Sequence, residues 1–202
     1  MIDYFSLLGE PRRPWLDPEV LKKKFLARSA TGHPDRVHTA GDEEKRTAQR
    51  HYAELNQAYN HLRHPKERLQ HLLELETGAK PQQVQQVPSD LTAFFLQVGN
   101  LFKETDALLG EKAKTSSPLL QVRLFETGQG YTEKLNALQR QLSAGQQQLL
   151  AELQELDRRW IEKPAASDRL DLLRRLEELY RLFSYFARWE SQIQEKIVQL
   201  SL

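Results

Sequence analysis

Tyr131, Leu135, Leu138, Leu142, Leu149, Leu153, Leu156 and Trp160 hold one helical phase. So do Leu172, Leu176, Leu179, Phe183, Phe186, Ile193, Ile197 and Leu200 further on. Such rows demand amphipathic helices that bury one face. No stretch alternates with period two over a useful length, so the chain is predicted all-α. A small N-terminal helical domain and a C-terminal antiparallel bundle are expected. Hydrophobic residues make up 39% and charged residues 28% of the chain, which suits narrow apolar stripes. Gly145 does not shift the first stripe, so one helix over 131–163 is predicted, ended by Pro164. The glycine should cost about 1 kcal/mol relative to alanine. Residues 119–125 begin a helix that Gly-Gln-Gly at 128–130 is expected to interrupt. Ser167 or Asp168 should cap the last helix.

The N-terminal third is punctuated differently. Asp3 can cap a short helix carrying Tyr4, Phe5, Leu7 and Leu8, stopped by Gly9 and the prolines at 11 and 14. Asp17-Pro18 is an N-cap followed by proline at the first helical position. The helix Glu19 to Ala30 places Leu21 and Phe25 on one face and Lys22, Lys23 and Lys24 on another. A third helix, about 42–63, carries Ala48, Tyr52, Leu55, Tyr59 and Leu62 at 4-3-4-3 spacing. His64-Pro65 breaks it. A fourth helix, 65–76, turns Leu69, Leu72 and Leu73 inward before Gly78. The Gln- and Pro-rich stretch 79–88 reads as a linker, giving domains 1–78 and 89–202. In the second domain, Ser89 or Asp90 should cap a helix running to about Lys112.

The formal net charge of +1 provides no global field for nucleic acid or an anionic membrane, and neither is an expected partner. The chain contains no cysteine, which excludes disulfides, thiolate metal sites and cysteine nucleophiles. The opening MIDYFSLLGEPRRPW lacks a basic start followed by a long apolar run. A cytoplasmic protein is therefore the expectation. Of the six histidines, His33, His38, His51, His61 and His64 lie close in sequence and His71 is nearby. His61 and His64 could share a face, but no Asp or Glu stands beside them at a diagnostic ligand spacing, so no metal site is expected. No HExxH, P-loop, GxSxG or dinucleotide fingerprint occurs, and neither catalytic residues nor a cofactor are expected.

One motif stands apart. His33-Pro34-Asp35 falls between the basic helix and the long third helix. Near the end of the latter come Asn56-Gln57-Ala58-Tyr59 and then Leu62-Arg63-His64-Pro65. This order resembles the J-domain family. Proline fixes φ and holds such a loop in an exposed shape. Asp35 can accept a charge-assisted bond from a partner arginine, and His33 offers a donor and an acceptor. Lys22, Lys23, Lys24 and Arg28 form a positive face suited to an acidic patch. The resemblance implies that His33, Pro34 and Asp35, with Lys22, Lys23, Lys24 and Arg36, contact a DnaK/HscA-type chaperone and promote its ATP hydrolysis. A J-protein does no covalent chemistry itself.

The likeness extends to the HscB-type co-chaperones of iron–sulfur cluster assembly. DYFSLLGEPRR, LDPEVLKKKF and NQAYNHLRHPKERLQHLLELETG resemble their first part, and RLFSYFARWESQIQEKI their last helix. No Gly/Phe-rich tract follows. The family implies a C-terminal bundle that holds a cluster scaffold protein as client, with Phe95 and Leu96 matching its apolar contacts; Phe102, from the apolar pattern of the same helix, is a further candidate. The chain departs from the family at Arg28, where an apolar residue is usual, and at Gly32, where an aromatic is. Both predict a looser second helix near the loop. Gly99, Asn100 and Lys103 replace apolar or acidic positions. From the residues alone, the helix 90–112 carries two apolar rows: Leu91, Phe94, Val98, Leu101 and Leu108, and Phe95, Phe102 and Leu109. The second row is either a contact surface or covered by the 119–125 segment. A J-protein with another client, or a structural adaptor pairing its long stripes with a second chain, are the alternative readings.

Overall fold

The computed structural model describes residues 2–31, 41–81, 91–162 and 164–201. Among them are seven α-helices and no strand, so the chain is all-α. The helices are α1 Tyr4–Leu8, α2 Pro18–Thr31, α3 Asp42–Arg63, α4 Pro65–Thr77, α5 Thr92–Lys114, α6 Pro118–Ile161 and α7 Ala166–Ser201. They form two compact units, each discontinuous in sequence. One comprises Met1–Gln82 with Leu150–Tyr180, the other Gln83–Leu149 with Arg181–Leu202.

In the first unit the local chemistry sets the boundaries. The Asp3 carboxylate accepts from the amides of Phe5 and Ser6 at 3.0 and 3.3 Å, and Gly9 ends α1 at φ 68°. Burial alone would push the Asp3 carboxyl up. Hydrogen bonds from the Ser6 hydroxyl, the Arg12 side chain and the Ser6 amide nevertheless hold it below its ordinary value. Asp17 caps α2 through the amides of Glu19 and Val20 at 2.9 and 3.0 Å. Pro65 starts α4 and Gly78, at φ 75°, closes it. Helix α3 packs on both α1 and α4, and Leu55, Ala58 and Leu62 of α3, Leu69 and Leu72 of α4 and Phe5 and Leu8 of α1 are all buried. Each fully buried leucine contributes roughly 2 kcal/mol.

Residues 150–180 complete this unit. Leu153, Leu156, Trp160, Leu172, Leu176 and Leu179 are buried. Arg169 lies over the Trp160 ring at 3.1 Å and reaches Glu76 at 2.8 Å. Arg175 holds Glu152 through two bonds of 2.5 and 2.9 Å.

In the second unit, α5, α6 and α7 alternate in direction. Gly128 of α6 neighbours Leu108 of α5 and Leu200 of α7, while Gly145 neighbours Phe186. Phe94 stacks on Phe186, and Lys196 pairs with Asp106. Thus α5 and α7 run together and α6 runs against both. The core joins Val98, Leu101 and Leu108 to Leu135, Leu138, Leu142, Phe186, Trp189, Ile193 and Leu200.

Two expectations need correction here. Helix α6 runs unbroken through 128–130 instead of stopping there. Gly128 is buried against leucines of both neighbouring helices, and Leu124 and Tyr131 on either side of the Gly-Gln-Gly stretch pack on the core. That packing outweighs the glycine penalties. Helix α7 starts at Ala166, where the Arg169 amide donates to the Ala165 carbonyl at 2.9 Å, so Ser167 and Asp168 lie inside the first turn. The expected caps of α5, Ser89 and Asp90, lie outside the described residues.

Candidate functional site

The candidate site begins with the α2–α3 hairpin. Phe25 of α2 stacks on Tyr59 of α3 with ring centroids 4.4 Å apart and planes 11° from parallel. Leu21 is buried one turn earlier. These contacts follow from the i, i+4 spacing of Leu21 and Phe25. They leave Lys22 and Lys23 on the exposed face. Lys24 differs: its ammonium donates to the Gly9 carbonyl at 2.9 Å and pairs with Glu10 at 3.0 Å. Arg28 donates to the Leu7 carbonyl at 3.0 Å, and its guanidinium lies over Gly9. Helix α2 continues past it to Thr31, and Arg28 ties α2 to α1. His33, Pro34, Asp35, Arg36 and Gly32 lie outside the described residues.

The connection 9–17, which leads into α2, has no regular structure, and its polar groups find partners elsewhere in the unit. Arg68 is 3% exposed. It donates from Nε to the Pro14 carbonyl and from Nη1 to the Leu62 carbonyl, both at 2.7 Å. Burial lowers its pKa to about 10, still cationic at neutral pH. Asp157 is buried and accepts from Arg13 Nε at 3.0 Å, from Arg13 Nη2 and from the Trp15 amide at 3.1 Å. The bond to Asp157 pushes the Arg13 pKa up. Trp160 Nε1 donates to the Arg12 carbonyl at 2.9 Å. None of these partners was legible beforehand, although an aspartate set beside the apolar stripe, between Leu156 and Trp160, was a visible oddity.

Three of the described histidines have local roles. His61 Nδ1 lies 2.9 Å from the Gln57 carbonyl, and His64 Nε2 accepts from Arg63 at 2.9 Å. His71 Nε2 accepts from the Tyr4 amide at 3.1 Å, its ring against Tyr4 and Phe5. Among the described residues no group of three or more His, Cys, Asp or Glu is placed to hold a metal ion.

In the second unit, α5 divides its two apolar rows unequally. Val98, Leu101 and Leu108 are buried, and Leu91, Phe94, Phe102 and Leu109 pack partly buried against the core. Phe95 and Leu96 remain 44% and 58% exposed. Phe102 thus sits at the core margin, while Phe95 and Leu96 face outward with Gly99, Asn100 and Lys103. The 119–125 segment is itself exposed at Leu119, Leu120, Val122 and Phe125.

No family model matches the chain. Over 72 residues it is 44% identical to proteins named co-chaperone protein HscB homolog from Bordetella pertussis and Bordetella parapertussis. That match covers 36% of this chain and 42% of each relative's length. Among solved structures, the fold is similar to human co-chaperone protein HscB, with a TM-score of 0.60 at 18% identity. That comparison covers 97% of this chain and 82% of the human one. Chaperone HscB from Vibrio cholerae compares at a TM-score of 0.47 and 25% identity, over 95% of this chain and 99% of that one. The likeness in sequence is therefore to HscB-type co-chaperones over part of the chain, and the likeness in fold extends over nearly all of it. Among the described residues no helix is long and apolar enough to cross a membrane.

Proposed function

We propose that this chain is a co-chaperone of the HscB type, acting in the cytoplasm. It stimulates ATP hydrolysis by a DnaK/HscA-type chaperone through His33-Pro34-Asp35 and presents an iron–sulfur cluster scaffold as client. The observation that carries this reading is the α2–α3 hairpin: a basic helix clamped to a long amphipathic one, with the His-Pro-Asp motif in the sequence between them.

The division of labour follows from the chemistry. Lys22 and Lys23, with Arg36, attract an acidic surface of the chaperone, speeding encounter and fixing orientation. Lys24 contributes by bracing α2 against the chain before it. Asp35 accepts from a chaperone arginine and His33 adds a donor and an acceptor on a stem set by Pro34. The co-chaperone forms no covalent intermediate; the chaperone hydrolyses the nucleotide. Phe95 and Leu96 are the apolar pair offered to the client, with Phe102 behind them at the core margin. An adaptor that pairs the long stripes with a second chain is less well supported. Leu135, Leu138, Leu142, Leu153, Leu172, Leu176 and Leu179 are already buried within this chain.

Steady-state ATPase of a purified DnaK-type chaperone tests the reading. The wild-type chain is expected to raise the rate several-fold, and His33→Gln to leave it near basal. Equal, unstimulated rates for both defeat the proposal. The client role is tested by capture of purified scaffold protein on the immobilised full chain, which Phe95→Ala with Leu96→Ala should abolish while leaving stimulation intact.

A further inference from the structure

We infer that Asp157 is a positioning residue for chaperone docking: it fixes the connection 9–17 and, through it, the angle at which α2 presents Lys22 and Lys23. The inference rests on the co-chaperone reading above. Asp157 has 3% of its side chain exposed, and all three bonds it accepts come from this connection: two from the Arg13 guanidinium and one from the Trp15 amide. A buried carboxylate with one fork-shaped cation and one backbone donor is geometrically demanding. Such pairs add little net stability over apolar packing, and fixing one arrangement is their better-supported use.

The connection transmits this constraint directly. Trp15 lies three residues before Pro18, the first residue of α2. Gly9 and Glu10, at the other end of the connection, hold Lys24. Displacing the connection therefore loosens α2 both at its start and at Lys24. The second half of α2 is held separately by Phe25 on Tyr59 and by Arg28 on the Leu7 carbonyl. Loss of Asp157 should then let the lysine-bearing half of α2 shift about its one buried anchor there, Leu21, while leaving α3 and α4 in place.

The test uses the full chain with Asp157→Asn, Lys22→Ala/Lys23→Ala and the triple combination. Two readouts are taken: amide hydrogen exchange, and the co-chaperone concentration giving half-maximal chaperone ATPase. Asp157→Asn should speed exchange at residues 13–24 and leave α3 and α4 protected. It should raise the half-maximal concentration roughly fivefold with the maximal rate near wild type, as expected for lost electrostatic orientation rather than a lost trigger. In the Lys22→Ala/Lys23→Ala background the same substitution should add almost nothing, because both act through one contact. Unchanged exchange at 13–24 overturns the inference, as does exchange that rises equally in α3 and α4. Normal wild-type stimulation with an unshifted half-maximal concentration for Asp157→Asn also overturns it, and leaves the co-chaperone reading standing. A wild-type chain that stimulates nothing overturns the co-chaperone reading and, with it, the docking role of Asp157.

Discussion

His71 shows how one side chain ties a short helix to the rest of its unit. Its ring is 5% exposed and accepts the Tyr4 amide proton, so the neutral form is the one that fits. Burial lowers its pKa; the carboxylates of Asp3 and Glu74 act the other way, and His61 and Arg12 add to the lowering. Because the folded state binds the proton more weakly than the unfolded chain, the sign is fixed. Stability is complete above the unfolded value of about 6.5 and is lost as pH falls toward the lower folded value. Below that value the loss levels off. His71→Gln keeps an acceptor for Tyr4 without a titrating ring. Thermal unfolding at pH 7.5 and 5.5 should therefore show a larger drop in Tm for wild type than for this variant. An equal drop in both would mean that other groups control the acid limb. The role of His71 was hidden in the sequence, where it reads as one more histidine in a cluster. Its placement depends on Tyr4, 67 positions away.

At the scale of an element, legibility depended on whether a helix declares itself locally. The bounds of α3 could be read from its stripe and from His64-Pro65. The caps Asp3 and Asp17 were equally plain, because capping involves residues two or three positions apart. Helix α6 was not legible at Gly128 and Gly130, because glycine signals a break unless a neighbour rewards continuity, and those neighbours belong to α5 and α7. The glycines of α6 are also not equivalent. A Cβ on Gly145 would lie 2.6 and 2.9 Å from two ring carbons of Phe186, whereas a Cβ on Gly130 meets nothing within 4 Å. Phe186 is buried and stacked on Phe94, so it has little room to retreat. Gly130→Ala should stabilise the chain by up to about 1 kcal/mol through helix propensity. Gly145→Ala gains the same propensity but overpacks the core, at a cost of about 1–3 kcal/mol, and should be net destabilising. Urea unfolding of the two variants should shift in opposite directions, and a stabilised Gly145→Ala would show that Phe186 can move aside.

At the scale of the whole chain, local composition and three-dimensional compactness mark different things. The Gln- and Pro-rich stretch at 79–88 is a clear break in composition, but the first compact unit draws Leu150–Tyr180 from beyond it. Nothing near Arg13 in the sequence announces a carboxylate 144 positions later, and no periodicity links Trp160 to the Arg12 carbonyl. A fragment ending at Gln82 would keep the His-Pro-Asp motif and the α2–α3 hairpin. It would lose Asp157, Trp160 and Arg169, leaving the Trp15 amide, the Arg12 carbonyl and Glu76 to solvent. The same truncation removes the buried Leu153, Leu156, Leu172, Leu176 and Leu179 from this unit, in a domain whose whole stability is on the order of 5–15 kcal/mol. Residues 1–82 alone should therefore unfold at distinctly lower urea concentration than the same segment in the full chain, read in both by the protection of α3 and α4 amides from hydrogen exchange as urea rises. A fragment as stable as the full chain would show that α3 and α4 suffice to hold the connection 9–17. If stability falls as expected, residues 150–180 hold the connection 9–17 that leads into α2.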